Sequence, residues 1–220
     1  MKYFFDTEFI EGFKKPLFGK KRHFIDLISI GIVCEDGREY YAVSNEFNPK
    51  DADAWVRENV IDKIEAQLFQ QQPTFAKSHF NFSLKELLKQ YGKSNKQIAE
   101  DICLFCYPDA KDAFINAKGE FLARSKQYGW NGEHPEFYAY YADYDWVLFC
   151  SLFGRMIDLP KGFPMYCKDL KQEFDHDYDA SIRERMKERE DYPKQKNEHN
   201  ALDDARWNFE LYKWLEYVGQ

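Results

Sequence analysis

IDLISIGIVCEDGREYYAVS, residues 25–44, is the stretch whose reading decides the fold. Its first ten residues, 25–34, are rich in β-branched side chains and almost continuously apolar, which reads as a strand. Glu35-Asp36-Gly37 is a hairpin turn signal, because aspartate and glycine tolerate the backbone conformations a tight turn needs. Residues 38–44 then read as another strand, antiparallel to the one before it. Upstream, Tyr3, Phe4 and Phe5 place a first buried strand at 2–6. Downstream, Ser94 to Cys106 is helical with Ser94 as its cap. Residues 136–142 form a strand and 143–154 a helix, with Trp146, Phe149, Cys150 and Phe153 on one stripe. Asp51 to Asn59 reads as a short helix, and 166–175 as a helix entered from a short strand near Met165. Asn200 to Tyr217 is a strongly periodic final helix. No clean period emerges between Pro73 and Gly92. A hairpin first and a strand–helix crossover later predict an α/β fold. Its central sheet is mixed, antiparallel over the first three strands and parallel afterwards, with helices flanking it.

The chain has 220 residues, which suits one domain. A single domain is expected over 1–220, with a basic loop at 11–24 and an insertion at 109–134. Hydrophobic residues make up 44%, so a large core rather than disorder is expected, and most of the 18% aromatic residues belong in it. No apolar run approaches the ~18 residues of a membrane span, so no membrane partner is expected. The first strand carries polar chemistry by Asp6, which does not fit a signal peptide. Five cysteines, an odd number, fit a reducing cytoplasm. The net charge of −7 argues against a histone-like, non-specific nucleic-acid binder. It leaves room for an enzyme that meets phosphate through metal ions, since a carboxylate cluster is anionic until loaded.

Three acidic constellations stand out. Asp6 and Glu8 follow the first apolar strand with one residue between them. A strand's period of two projects both to one face, as a shared hard cation would need. Asp-x-Glu alone is weak, since a chain this acidic contains it roughly once or twice by chance. Its place at the end of a buried strand raises it, because desolvating an unpaired carboxylate costs several kcal/mol, roughly. The second is HNALDD, 199–204. Asn200 is a natural N-cap, with Asp203 three residues on as in a capping box. Ala201, Asp204, Ala205, Asn208, Leu211 and Leu215 share one helix face. The two alanines let that face approach the sheet closely and carry Asp204 to its edge. His199, just outside the helix, reads alone as an ordinary loop histidine. The third is YADYD, 141–145, where a strand arrives and a helix leaves. Asp143 is placed as its cap, with Asp145 in the first turn, where acids are common for dipole reasons alone. Together Asp6, Glu8, Asp145, Asp204 and His199 make four acids and a histidine at strand ends and helix starts. Such a group is self-repelling without cations. With two divalent ions it becomes a site for in-line phosphoryl displacement, and magnesium or manganese suits an all-carboxylate set.

The order Asp-x-Glu, Tyr-Asp at a strand–helix junction, then His-x-Ala-x-x-Asp resembles the DEDDh family of 3′→5′ exonucleases, on the ribonuclease H-like fold. The stretches MKYFFDTEFIE, DLISIGIV, EDGREYYAVS and YDWVLFCSLFG are similar to one subgroup, the bacterial polyadenylate-specific exoribonuclease-like proteins. The resemblance implies a metal-dependent exoribonuclease acting on single-stranded RNA 3′ ends and releasing 5′-mononucleotides, with adenylate-rich RNA or AMP as a candidate ligand. It implies two Mg2+ or Mn2+ ions. Asp6, Glu8 and Asp204 would hold one, Asp6 and Asp145 the other. His199 would act as general base, a role suited to histidine at neutral pH. Thr7 and Phe9 would flank the terminal nucleotide; Phe9 reads either as a stacking platform for the base or as more core. Many relatives dimerise, so a homodimer is among the expectations. The family's middle motif often has asparagine four residues before its aspartate; here that position is Tyr141.

Weaker features carry two readings each. FKKPLFGKKRHF (13–24) is either a guide for RNA or a solvated loop. The nearly charge-balanced run from Arg183 to Lys196 reads as a solvated helix. Cys103-x-x-Cys106 lacks a second pair and reads as core, as do Trp130 and Trp207. A single-stranded DNA exonuclease and a non-catalytic nucleotide- or RNA-binding module are the rival functions.

Overall fold

Two 13-residue strands, Lys2–Lys14 (β1) and Arg22–Cys34 (β2), run antiparallel as the spine of the molecule. The computed structural model describes residues 1–15, 18–79, 82–108 and 134–219. Glu39–Val43 (β3) pairs antiparallel with β2; Glu136–Ala139 (β4) and Lys168–Asp169 (β5) add parallel strands on the other side of β1. The sheet order is β3-β2-β1-β4-β5. It is the expected mixed α/β sheet, with β1 at its centre. Helices follow at Asp62–Gln70 (α1, entered through an α-turn at Ala54–Val56 and a π-turn at Arg57–Ile61), Thr74–His79 (α2), Leu84–Tyr91 (α3), Asn95–Cys106 (α4), Asp143–Phe153 (α5), Leu170–Asp177 (α6), Ala180–Lys187 (α7) and Ala201–Val218 (α8).

Alternation along β1 sorts its aromatics. Tyr3 and Phe5 enter a core with Ile30, Ile32 and Phe137, closed by Ile98 and Ile102 of α4 and Leu148 and Phe149 of α5. Phe4 points the other way, into a core with Tyr138, Leu170 and Phe174 of β4 and α6, and Leu211 and Trp214 of α8. Each such ring contributes about 1.5–3 kcal/mol of burial. A third cluster covers the β3 side with Ile61, Ile64 and Leu68 from the α1 segment and Leu84, Leu87 and Leu88 from α3. The β1–β2 register slips between Glu8 and Phe9: Glu8 pairs with Ser29, Phe9 with Leu27. This bulge turns Ile28 into the third cluster while Ile30, two residues on, stays in the first.

Gly31 faces α8. A Cβ there would lie 2.3 Å from the Ala201 carbonyl oxygen, so no larger residue fits. Asn208 of α8 donates from Nδ2 to the Phe5 carbonyl at 2.9 Å, pinning helix to strand. The predicted close approach therefore depends on a glycine in the sheet as well as on the alanines in the helix.

Several local expectations change. The segment 11–24 is not simply a loop: β1 continues to Lys14 and β2 begins at Arg22, forming a two-stranded arm. Long paired strands formed there because Phe13 and Phe24 favour extended backbone. The blurred stretch 73–92 holds α2 and α3, the latter started by a Ser83–Glu86 capping box. Asp51 to Asn59 is not one helix: a 3-10 turn at Pro49–Asp51 precedes Asp53, which caps the turn into α1. Asp143 does not cap α5; Ala142 occupies that position and donates its N–H to Asp169 Oδ2 at 3.0 Å. Asn200 caps α8 by accepting from Leu202 and Asp203, while Asp203 turns out to meet Arg206 instead of completing a capping box. The charged run is a helix only to Lys187. Cys103 and Cys106 are buried and free. The 109–134 insertion and Trp130 fall on residues outside those described, apart from His134.

Candidate active site

The acids converge where β1 leaves the body of the sheet. Asp6 lies opposite Gly31 and Glu8 opposite Ser29, on the face that α8 covers. Because Gly31 admits the first turn of α8, Asp204 reaches them. One oxygen from each of Asp6, Glu8 and Asp204 lies within 4.8 Å of the other two. Asp204 is buried. Its Oδ2 accepts from the His199 backbone N–H at 2.9 Å and its Oδ1 from Gln195 Nε2. Asp145, also buried, comes from the first turn of α5 on the opposite face of the sheet. It stands outside that trio; its Oδ1 accepts from Thr7 N at 2.9 Å and from Thr7 Oγ1 at 2.6 Å. Thr7 points away from Asp6 and Glu8 by strand alternation, so it ties α5 to β1 from the far side.

None of the four acids makes an ion pair among the described residues. Their titration shows the cost. Burial, then Asp145, Glu8 and Asp204, push the Asp6 carboxyl far above the usual range. Burial, Asp204 and Asp145 push Glu8 up to about 8, with Lys63 opposing. Burial raises Asp145 to about 6 despite the two Thr7 bonds. Asp204 is raised by burial, opposed by Gln195 and the His199 N–H. Hard oxygen donors, clustered and unpaired, fit divalent magnesium or manganese in chemistry and number.

The four acids and His199 line one open cleft of about 340 Å³. His199 sits at φ 67° and Tyr141, which also lines the cleft, at φ 57°. For non-glycine residues this left-handed backbone costs about 1–3 kcal/mol each, and both lie at the cleft. The His199 ring packs edge-on against Trp55, centroids 4.7 Å apart. Phe9 is half-buried in the wall, its ring 5.7 Å from Tyr144. All seven residues singled out from the sequence, Asp6, Thr7, Glu8, Phe9, Asp145, His199 and Asp204, therefore border one cleft.

Residues 1–215 match the family model described as the 3′-5′ exoribonuclease Rv2179c-like domain. The chain belongs to that family. Two curated relatives from Mycobacterium tuberculosis agree. The 3′-5′ exoribonuclease Rv2179c (strain ATCC 25618 / H37Rv) and the 3′-5′ exoribonuclease MT2234.1 (strain CDC 1551 / Oshkosh) are each 34% identical over 206 residues, covering 94% of this chain and 88% of the relative.

In this Rv2179c-like domain, four neighbours of the site escaped the sequence reading. Trp55 lies before α1, over 140 positions from His199, and no spacing could join them. Gln195 was hidden in a charged run read as solvated. Lys63 of α1 donates to the Glu198 carbonyl at 3.0 Å and braces the His199 loop. Tyr140 carries β4 into the cleft wall. Only Tyr141 gave a signal, as the departure from the DEDDh middle motif.

Proposed function

We propose that this chain is a metal-dependent 3′→5′ exoribonuclease of the DEDDh type, hydrolysing single-stranded RNA ends to 5′-mononucleotides. One observation carries the reading: Asp6, Glu8 and Asp204 gathered within 4.8 Å, in one cleft with Asp145 and His199. Membership of a family named for 3′-5′ exoribonucleases, and two relatives so named, support RNA over DNA. The antiparallel start and parallel addition of the sheet support a ribonuclease H-like fold.

Asp6, Glu8 and Asp204 would hold one divalent ion and Asp6 with Asp145 the second. Bound there, two ions would supply positive charge to the attacking and leaving oxygens of an in-line displacement. The protein's own groups do the rest. His199 takes the proton from the attacking water; the new bond forms between water oxygen and phosphorus, the bond to the preceding 3′ oxygen breaks, and that oxygen takes a proton from solvent to leave a 3′ hydroxyl on the shortened RNA. The Trp55 contact and the His199 N–H bond to Asp204 fix where that imidazole stands. Thr7 orients Asp145. Phe9, with Tyr144, offers an aromatic wall for the terminal base, a contact worth ~1–3 kcal/mol when it stacks. Adenylate preference is a refinement of this reading, and five free cysteines support a reducing, cytoplasmic setting.

The test is a 5′-labelled oligoadenylate ladder with magnesium, beside other RNA homopolymers and single-stranded DNA. One-nucleotide shortening with mononucleotide release, lost in Asp6→Ala, is expected. No shortening of any RNA, or an unaffected Asp6→Ala enzyme, would sink the assignment.

A further inference from the structure

The arm made by β1 and β2 beyond the sheet is not used by the site described above, yet it is carefully anchored. On one face Gly12 leaves room for the Phe24 ring, which a Cβ would approach to 3.0 Å. Lys14 covers that ring, its Nζ 3.8 Å from the centroid, and is held by Asp26 at 2.9 Å and Asp51 at 3.1 Å. The other face continues the side of β1 that carries Phe9 in the cleft. By strand alternation Phe9, Glu11 and Phe13 share it, with His23 opposite Phe13. The Phe13 and His23 rings are 5.6 Å apart, and Lys21 Nζ lies 6.0 Å from the Phe13 centroid. Glu11, the acid on this face, is 3.4 Å from His23 Nε2.

Two features of the arm call for an occupant. Phe13 is 65% exposed and Phe18, near the tip, 88%. Lys15, Lys20, Lys21 and Arg22 make no ion pair among the described residues, although the chain carries net charge −7. Unpaired cations interleaved with exposed rings complement a flexible polyanion with flat bases.

We propose that this arm is a second binding site, which holds single-stranded RNA upstream of the 3′ nucleotide. The inference rests on the RNA reading above and assigns it a substrate-length dependence. Five residues from Glu8 to Phe13 span about 17 Å of strand, so the arm meets nucleotides well behind the one being removed. A short RNA occupies the cleft alone; a longer one also lies on Phe13 and Lys21.

The experiment reads binding in EDTA, so hydrolysis does not enter. Fluorescein-labelled RNA 12-mer and trimer are titrated by anisotropy against the wild-type chain, Lys20→Ala/Lys21→Ala/Arg22→Ala, and Phe13→Ala/Phe18→Ala. All substituted side chains are exposed, and circular dichroism checks the fold. The charge variant is expected to bind the 12-mer about tenfold more weakly, with the 12-mer-to-trimer affinity ratio falling towards one. Its log–log salt slope should drop by about 2, from three cations removed. The aromatic variant should weaken the 12-mer about fivefold. Three results would overturn the inference: a wild-type chain that does not bind the 12-mer, unchanged 12-mer binding in the charge variant, or equal weakening of 12-mer and trimer. Loss of binding to phosphatidylglycerol vesicles with RNA binding intact would also overturn it, placing the arm on a membrane surface. A chain that binds the 12-mer through the arm but shortens no RNA would retain this site while losing the proposed activity.

Discussion

Asp203 and Asp204 are neighbours on the first turn of α8 and meet opposite surroundings. Asp203 points outward to Arg206, 2.6 Å away, and that guanidinium also grips Glu39 of β3 at 2.6 Å. Arg206 holds the Glu39 carboxyl below its ordinary value. Asp204 points inward to Asp6 and Glu8 and makes no ion pair among the described residues, where it accepts from Gln195 and a backbone N–H. One step of helical rotation separates a satisfied surface network from a strained anionic cluster. The outer group is complete as it stands. The inner group makes no ion pair among the described residues, and the proposed divalent ions would supply the missing charge.

Breaking the inner group should have the largest effect. Replacing Asp6 by Asn keeps its shape and removes its charge; nuclease activity should fall by more than about 100-fold, since even residues behind metal ligands are worth 10–100-fold. His199→Ala should cost about 10²–10⁴-fold as a lost general base, with divalent-ion binding retained by calorimetry. If both variants kept activity on oligoadenylate, the inner group would be no more functional than the outer. Next comes Gly31→Ala. The added Cβ meets the Ala201 carbonyl, so α8 must shift, costing about 1–3 kcal/mol of overpacking. Thermal melts should show it, and activity should fall with it because the shift withdraws Asp204.

The same contrast has a pH signature. With Glu8 raised to about 8 and Asp145 to about 6, and Asp6 and Asp204 raised as well, the metal-free folded chain binds more protons than the unfolded one above the ordinary carboxylate range. Stability must then decline as pH rises from about 4.5 towards 8. Denaturant midpoints measured in EDTA across that window should fall. Asp6→Asn should flatten the decline, and manganese should stabilise more at pH 8 than at pH 5. A flat or rising profile in EDTA would show that the four carboxylates do not share a desolvated site.

How much of this was legible beforehand follows from range. The core strands were readable because their apolar patterns are local; Asp6 and Glu8 stood out at the end of an apolar strand, Asp145 at a strand–helix junction, and Asp204 between two alanines on one helix face. The length of β1 was not: lysines and glycines beyond Phe9 read as loop, and only pairing with residues 22–26 makes them strand. Asp203 was given a capping role because sequence shows a position three residues from Asn200 but not Arg206 turning towards it. Trp55 against His199 has no sequence signal, since their contact is made by the packing of the α1 segment against the loop before α8. Close approach was inferred from Ala201 and Ala205, whereas Gly31, the tighter constraint, looked like one apolar strand residue among many.

The smallest effect belongs to the outer network. The Arg206 side chain is about half-exposed, so its two ion pairs work in high dielectric and are screened by salt. Arg206→Ala should lower stability by no more than about 1 kcal/mol, and less at high ionic strength. It removes nothing that touches Asp6, Glu8 or Asp145. The effect should persist through the ordinary carboxylate range and fade only as pH falls through the lower folded pKa of Glu39, because Arg206 keeps that carboxylate ionised until then. Activity should stay near that of the wild type. A large activity loss in Arg206→Ala would mean that the outer pair sets the pose of the α8 first turn, and the division between Asp203 and Asp204 would then be one of geometry rather than of independent function.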